Sequence, residues 1–237
     1  VQNLDKPYQI TNGLKNKNIV VWNSHGWYYN NDLDRWMWQR PRLFQTVEDL
    51  IPTSFVLPYI IPMLENSGAN VFVPRERDTQ KHEVVIDNDQ PGSFQNGIYA
   101  ETDGWQTGAQ KGFEIGNPPY PNNFNPFIQG TYSITNASDS ASETIEWIPD
   151  IPEEGFYNVY ISYYASEENI PDAKYSVYYS GGRTDFSVNQ KIGGNTWIYL
   201  GNFKFEAGIN SETGKVVLTN ESAEPNKTVA ADAVRFG

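Results

Sequence analysis

The chain has 237 residues, 38% hydrophobic and 14% aromatic, enough to build one large domain or two modest ones. Its net charge of −12 and pI of about 4.6 argue against nucleic acid or an anionic membrane surface as partner, because both require clustered Lys and Arg. The chain has no cysteine, so disulfides, a thiolate nucleophile and a thiolate zinc site are excluded. No segment approaches the roughly 20 apolar residues of a membrane span.

Lys15 to Asn88 reads as alternating strand and helix. Ile19-Val20-Val21-Trp22 is a short apolar run closed by Asn23-Ser24-His25-Gly26, the pattern of a buried parallel strand. Gly26 to Arg42 reads as a loop rich in Trp, Tyr and Asn. Thr46 with Asp49 resembles a capping box. The apolar stretch Phe55–Leu64 has helical length, with Pro52 suited to a first turn and Gly68 to a stop. Pro58 and Pro62 predict a kinked or late-starting helix. Asn70–Pro74 is the next strand, completing one βαβ unit. The run Asp87–Gln95 reads as the junction, giving domains at residues 1–89 and 90–237.

From Tyr99 onward the period becomes two. Thr144–Trp147 and Tyr157–Tyr163 alternate, Tyr175, Val177 and Tyr179 share a face, and so do Val216 and Leu218. Turn clusters at Gly181-Gly182 and Gly193-Gly194-Asn195 separate the runs. Regular short strands with such punctuation predict a β-sandwich or jelly roll.

Few residues offer chemistry. His25 follows the first strand and Glu48 opens the next helix, so both fall on one edge of a βαβ unit, where they could converge on zinc. The same residues read equally as a hydrogen-bonded loop histidine and a first-turn acid favoured by the helix dipole. His82 is the only other histidine. Sugars stack on exposed aromatic faces. Trp147 and Trp197 sit in core-like patterns, which leaves Trp105, among turn residues, as the candidate platform. Asn189-Gln190 is expected to satisfy backbone groups at a strand end, and Asp232 to pair with a cation. Asp87-Asn88-Asp89 has the oxygen-rich look of a calcium loop but lacks the rest of one, and is read as linker.

The segment Ile19–Gly26, then Glu48, then Gly68–Asp78 with Arg75 and Asp78 resembles the first half of zinc-dependent N-acetylmuramoyl-L-alanine amidases. With Trp27-Tyr28-Tyr29, Trp38–Arg42 and Leu57-Pro58-Tyr59 it is similar to a divergent Bacteroidetes branch labelled xanthan lyases. That resemblance implies His25 and Glu48 as zinc ligands. The family's further histidine ligand and catalytic glutamate have no counterpart here, which implies a missing C-terminal catalytic segment and a chain inactive by itself. His82 does not stand where the family places a ligand.

The second half resembles the golvesin-type domain through Gly130-Thr131-Tyr132, Gly155–Tyr160, Phe186–Gln190, Thr196–Gly201 and Ala231–Phe236, over roughly Gly97 to Gly237. This resemblance implies a carbohydrate-binding-like sandwich appended to bacterial secreted enzymes. The expected fold class is therefore α/β plus all-β, a partial amidase-like βαβ unit followed by a jelly-roll-like sandwich. The expected function is the N-terminal portion of an exported, extracytoplasmic cell-wall hydrolase acting with zinc on peptidoglycan. The alternatives are a carbohydrate-binding module or surface interaction protein taking another glycan, and a relative of polysaccharide lyases.

Overall fold

The computed structural model describes residues 12–14, 17–23, 25–73, 80–89, 96–116 and 124–237. The chain forms two compact units, Val1–Arg77 and Asp78–Gly237.

In the first unit, β1 (Asn18–Val20) is followed by two hairpins, β2 (Trp27–Asn30) with β3 (Arg35–Trp38) and β4 (Arg42–Leu43) with β5 (Thr46–Val47). The segment expected as a loop is thus paired. Asn30 Oδ1 accepts from the backbone N–H of Asp32 and Leu33 at 3.0 and 3.1 Å, so an Asx-type turn reverses the chain between two aromatic runs. Helix α1 (Leu50–Phe55) passes through a wide turn at Val56–Ile60 into α2 (Ile61–Asn66). The expected kink is this wide turn, which contains Pro58, while Pro62 falls in the first turn of α2, where no N–H is needed. Gly68 takes φ +91° and ends the helix as expected. The capping box does not form. Thr46 belongs to β5, and the Asp49 carboxylate turns away from the helix to accept from Arg40 N at 3.0 Å.

β6 (Asn70–Phe72) pairs in parallel with β1, as the strand–helix–strand reading requires. The strand is not the buried one expected, because Val20 is 75% and Trp22 71% exposed. With two strands in the sheet, the small cluster of Ile61, Ala69 and Val71 covers one face only. The parallel pair with its helical crossover stands by itself, and nothing in it distinguishes an amidase from other α/β units. The motif residues Arg75 and Asp78, and Ser24, lie outside the described residues.

The second unit starts with β7 (Val84–Ile86), so the division falls ahead of the junction expected from sequence. The reason is pairing: β7 is a sheet member of the sandwich. Then come β8 (Gly97–Glu101), β9 (Gln106–Thr107), β10 (Ser133–Asn136), β11 (Thr144–Ile151), β12 (Gly155–Ile161), β13 (Ala173–Tyr179) and β14 (Gly182–Val188). The last are β15 (Ile198–Phe205), β16 (Gly208–Ile209), β17 (Lys215–Thr219), β18 (Thr228–Ala231) and β19 (Val234–Phe236). One sheet runs β14-β13-β17-β11-β16 with β8 also on β11, the other β15-β12-β19-β7, and a short third sheet runs β18-β10-β9.

The predicted period of two holds where a sheet has one wet face. Along β13, Ala173, Tyr175 and Val177 are buried while Lys174, Ser176 and Tyr178 are half-buried. The core takes Tyr175, Val177, Val216, Leu218, Ile145 and Trp147 from the first sheet. From the second it takes Tyr157, Val159, Ile161, Phe203, Phe205, Val234, Phe236 and Ile86. Trp147 stacks on Tyr175 at 6.4 Å and meets Tyr99 edge-on at 6.1 Å. The all-β half of the expected fold class is therefore present as a sandwich.

Candidate functional site

Of the two residues expected to bind zinc, His25 meets another side chain and Glu48 lies exposed. His25 Nε2 lies 2.9 Å from Arg40 Nη2, so a guanidinium donates to the lone pair that a metal would need. Glu48 is exposed, and its neighbour Asp49 is the buried acid at 1% exposure. Asp49 is tied into a relay that sequence reasoning missed. Its carboxylate accepts from Arg40 N, its carbonyl accepts from Thr53 Oγ1 at 3.0 Å, and Asn23 Nδ2 donates to Thr53 Oγ1 at 2.7 Å. This network fastens the end of β1 to α1 and the Arg40 loop. Among the described residues no three His, Asp or Glu side chains come together as a metal cage. The donor set around His25 does not fit a zinc centre with three protein ligands. His82, in the other unit, pairs with Glu153 at 3.2 Å.

Trp105 is not the exposed platform that its turn neighbours imply. Glu143 pulls the turn inward by accepting from Gly104 N at 3.0 Å and from Thr102 Oγ1, and Trp105 enters the core at 6% exposure. Trp147 is fully buried, as expected. Trp197 is half-buried in a separate aromatic trio, 4.9 Å from Phe113 and 5.4 Å from Phe127. Gln190 does satisfy backbone, bonding the N–H and C=O of Ala230 at 3.0 and 2.6 Å. Among the described residues Asp232 is paired with no cation. Its Oδ2 accepts from Phe113 N at 2.9 Å and Ser162 Oγ at 3.2 Å.

The solvent-facing side of the β14-β13-β17-β11 sheet carries a cluster of polar and charged side chains. The strand register sets Tyr178 between Arg183 on β14 and Lys215 on β17, and Ser176 between Asp185 and Val217, with Glu146 beyond Val217 on β11. The Arg183 guanidinium carbon is 5.7 Å and Lys215 Nζ 5.5 Å from the centre of the Tyr178 ring, close enough for cation–π attraction. Arg183 grips Asp185 with two bonds, Nε to Oδ1 at 2.6 Å and Nη2 to Oδ2 at 2.8 Å. Ser176 Oγ donates to the same Oδ1 at 2.7 Å, and Lys215 pairs with Glu146 at 2.8 Å. The bonds from Arg183 and then Ser176 hold the Asp185 carboxyl below the usual carboxylate range, and those to Asp185 raise the guanidinium further.

This surface presents a tyrosine, two cations, two carboxylates and a hydroxyl on regular strands. Its donors and acceptors are held in place by one another, and Arg183 and Asp185 remain about half exposed, at 52% and 57% of their side chains. Such a set can trade its outer hydrogen bonds for those of a polyol without reorganising the backbone. The sequence signal was present in the alternation Lys174-Tyr175-Ser176-Val177-Tyr178, whose even positions face solvent. The polar partners come from strands far apart in the chain, so the sequence alone did not show them as a cluster.

A stretch of 106 residues, 44% of this chain, is 30% identical to a xanthan lyase of Bacillus sp. strain GL1. The chain spans 11% of that relative's length. Among solved structures, a Paenibacillus xanthan lyase superposes with a TM-score of 0.43 at 23% identity, over 65% of this chain and 13% of the other. A CBM35 domain of Cellvibrio japonicus Abf62 gives 0.34 at 19% identity, over 58% and 93%. By sequence, residues 123–237 match the Golvesin C-terminal domain.

Proposed function

We propose that the sandwich unit is a glycan-binding module of an extracytoplasmic protein, and that its binding surface is the solvent-facing sheet around Tyr178. The observation that carries this reading is the preorganised row of Arg183, Tyr178 and Lys215 with Asp185, Ser176 and Glu146 beside it. Sugar hydroxyls need paired donors and acceptors in fixed positions, and this face supplies them on neighbouring strands. The relationship to a protein named for xanthan makes xanthan the first ligand to test, with peptidoglycan as the comparison.

The test is affinity electrophoresis and calorimetry of the full chain on xanthan, a neutral β-glucan and peptidoglycan. Tyr178→Ala and Arg183→Ala are each expected to weaken binding about tenfold, the loss of roughly 1.4 kcal/mol. Their unfolding free energies should stay within about 1 kcal/mol of the parent, since they lie outside the core. Unchanged affinity in both variants would refute the assignment of this face.

The hydrolase reading of residues 1–89 has the parallel β1–β6 pair in its favour and the Arg40 contact on His25 against it. Glycan binding accounts for the second unit without requiring a metal or a catalytic base in the first.

A further inference from the structure

Burial normally demands that a polar group find a partner. At the end of β7 the chain breaks that demand several times in one place. Asp87 is 0% exposed; the backbone N–H groups of Asn88 and Asp89 approach its carboxylate, but neither oxygen has a well-formed hydrogen bond. Asp232, 2% exposed, satisfies Oδ2 through Phe113 and Ser162 and leaves Oδ1 unpartnered. Asn88 Oδ1 is buried and unpartnered as well. The β7–β19 pairing ends at Ile86 with Val234, so Asp87 leaves β7 where Asp232 and Ala233 lead into β19, and the two carboxylates lie near enough to interact electrostatically.

The unpartnered atoms are all oxygens. Asn88 is oriented by its Nδ2, which donates to Thr131 Oγ1 at 2.8 Å and leaves Oδ1 free. Asp89, the third acid of the run, is committed elsewhere, since both its oxygens accept from Thr131. An uncompensated buried carboxylate costs several kcal/mol. Burial first, and then the charge of Asp232, push the Asp87 carboxyl up to about 9, and burial pushes Asp232 to about 7. Burial therefore opposes the ionised form of both carboxylates.

We propose that Asp87, Asp232 and Asn88 bind a hard divalent cation, calcium by the all-oxygen donor set, which pins the start of the sandwich to its last strand. Two carboxylates and one amide oxygen are fewer than a full shell of 6–8, and main-chain carbonyls and water complete it. The negative charges of the pair balance the cation. This role replaces the reading of Asp87-Asn88-Asp89 as linker. It is independent of the glycan surface, which lies on the other sheet.

The experiment uses the full chain stripped with EDTA. Terbium is titrated in and its emission is excited through tryptophan, for which Trp147 is placed by its Nε1 bond to the Asp232 carbonyl at 3.0 Å. Calcium is expected to displace terbium from one site per chain, with magnesium far weaker. A hundredfold excess of calcium over Kd should raise Tm by roughly 5–10 °C. Asp87→Asn should abolish the calcium-displaceable emission and the calcium-dependent rise in Tm. If that variant fails to fold, Asn88→Ala, at a half-buried position, should weaken calcium several-fold. No displaceable emission in the parent chain would overturn the proposal and leave the two acids as neutral carboxyls. Emission unchanged in these variants would place the ion elsewhere on this acidic protein and overturn it equally.

Discussion

Trp147→Ala is expected to lower the unfolding free energy by about 3–5 kcal/mol, a large part of the stability of a domain this size. The indole is fully buried between the sheets, against Tyr175 and Tyr99, so its removal opens a cavity in the core. Its Nε1 also satisfies the carbonyl of Asp232, so the substitution leaves a buried acceptor unpaired in addition to the cavity. Trp147→Phe separates the two contributions, keeping most of the volume and losing the hydrogen bond. Its expected cost is smaller, about 1–3 kcal/mol. Urea denaturation of the three proteins checks the order. Equal midpoints for the parent and Trp147→Ala would contradict the placement of this side chain.

Gln190→Ala should have a comparable effect by a different route. The Gln190 amide acts as a short substitute strand. Oε1 accepts from Ala230 N at 3.0 Å, while Nε2 donates to Ala230 O at 2.6 Å and to the Tyr175 hydroxyl at 3.2 Å. Removing it strands a backbone N–H and C=O in β18, away from water. Each such group costs about 1–3 kcal/mol, so a total of about 2–5 kcal/mol is expected. Gln190→Glu keeps the acceptor but loses the donors and buries a charge, and should be no better than alanine. Amide exchange supplies the site-specific readout. Protection at Ala230 should fall much more than at Tyr175 N, which stays in its ladder. Protection lost equally at every amide would instead indicate global destabilisation without a local role for the amide.

The two halves of the chain were not equally legible. In the sandwich, side-chain period and burial coincide because each strand has a core face set by its neighbours. Tyr175, Val177, Val216 and Leu218 were assignable to one interior from spacing alone. Gln190 was legible too, since an amide at a strand end has few other fates. Trp105 was misread because its neighbours, Asp103 and Gly104, are turn residues. What turned it inward was Glu143, some forty positions away, and local sequence carries no record of such a tie. In the first unit the strand, helix and strand were found in order, and the parallel pairing followed. The hairpins between Trp27 and Val47 were missed. The Asn-Asp turn of the first is visible in the sequence, but its aromatic flanks were taken for loop composition; the second turns at Phe44-Gln45, which carry no turn signal. His25 and Glu48 were singled out by their places at the end of one strand and the start of the next helix, which say nothing of Arg40, whose guanidinium donates to the imidazole. Asp87 shows the opposite failure. Its sequence looks like linker, and only the pairing of β7 with β19 reveals that it is interior.

That pairing also orders events on the ribosome. β19 lies inside its sheet, between β12 and β7, and is built from residues 234–236. The hairpin of β13 and β14 can form from neighbouring segments soon after synthesis, with β17 joining later. The other sheet has no such option. β7 emerges early and then waits, with its partner β19 still unmade, while nearly the whole unit is translated. During that interval β12 offers an unpaired flank rich in Val, Tyr and Ile to any strand that passes. The sandwich therefore closes late and through contacts distant in sequence, the kind that folds slowly. A nascent chain of this protein needs shielding until residues 234–236 clear the exit tunnel, and overexpression that outruns such shielding should yield edge-paired aggregates rather than degraded monomer.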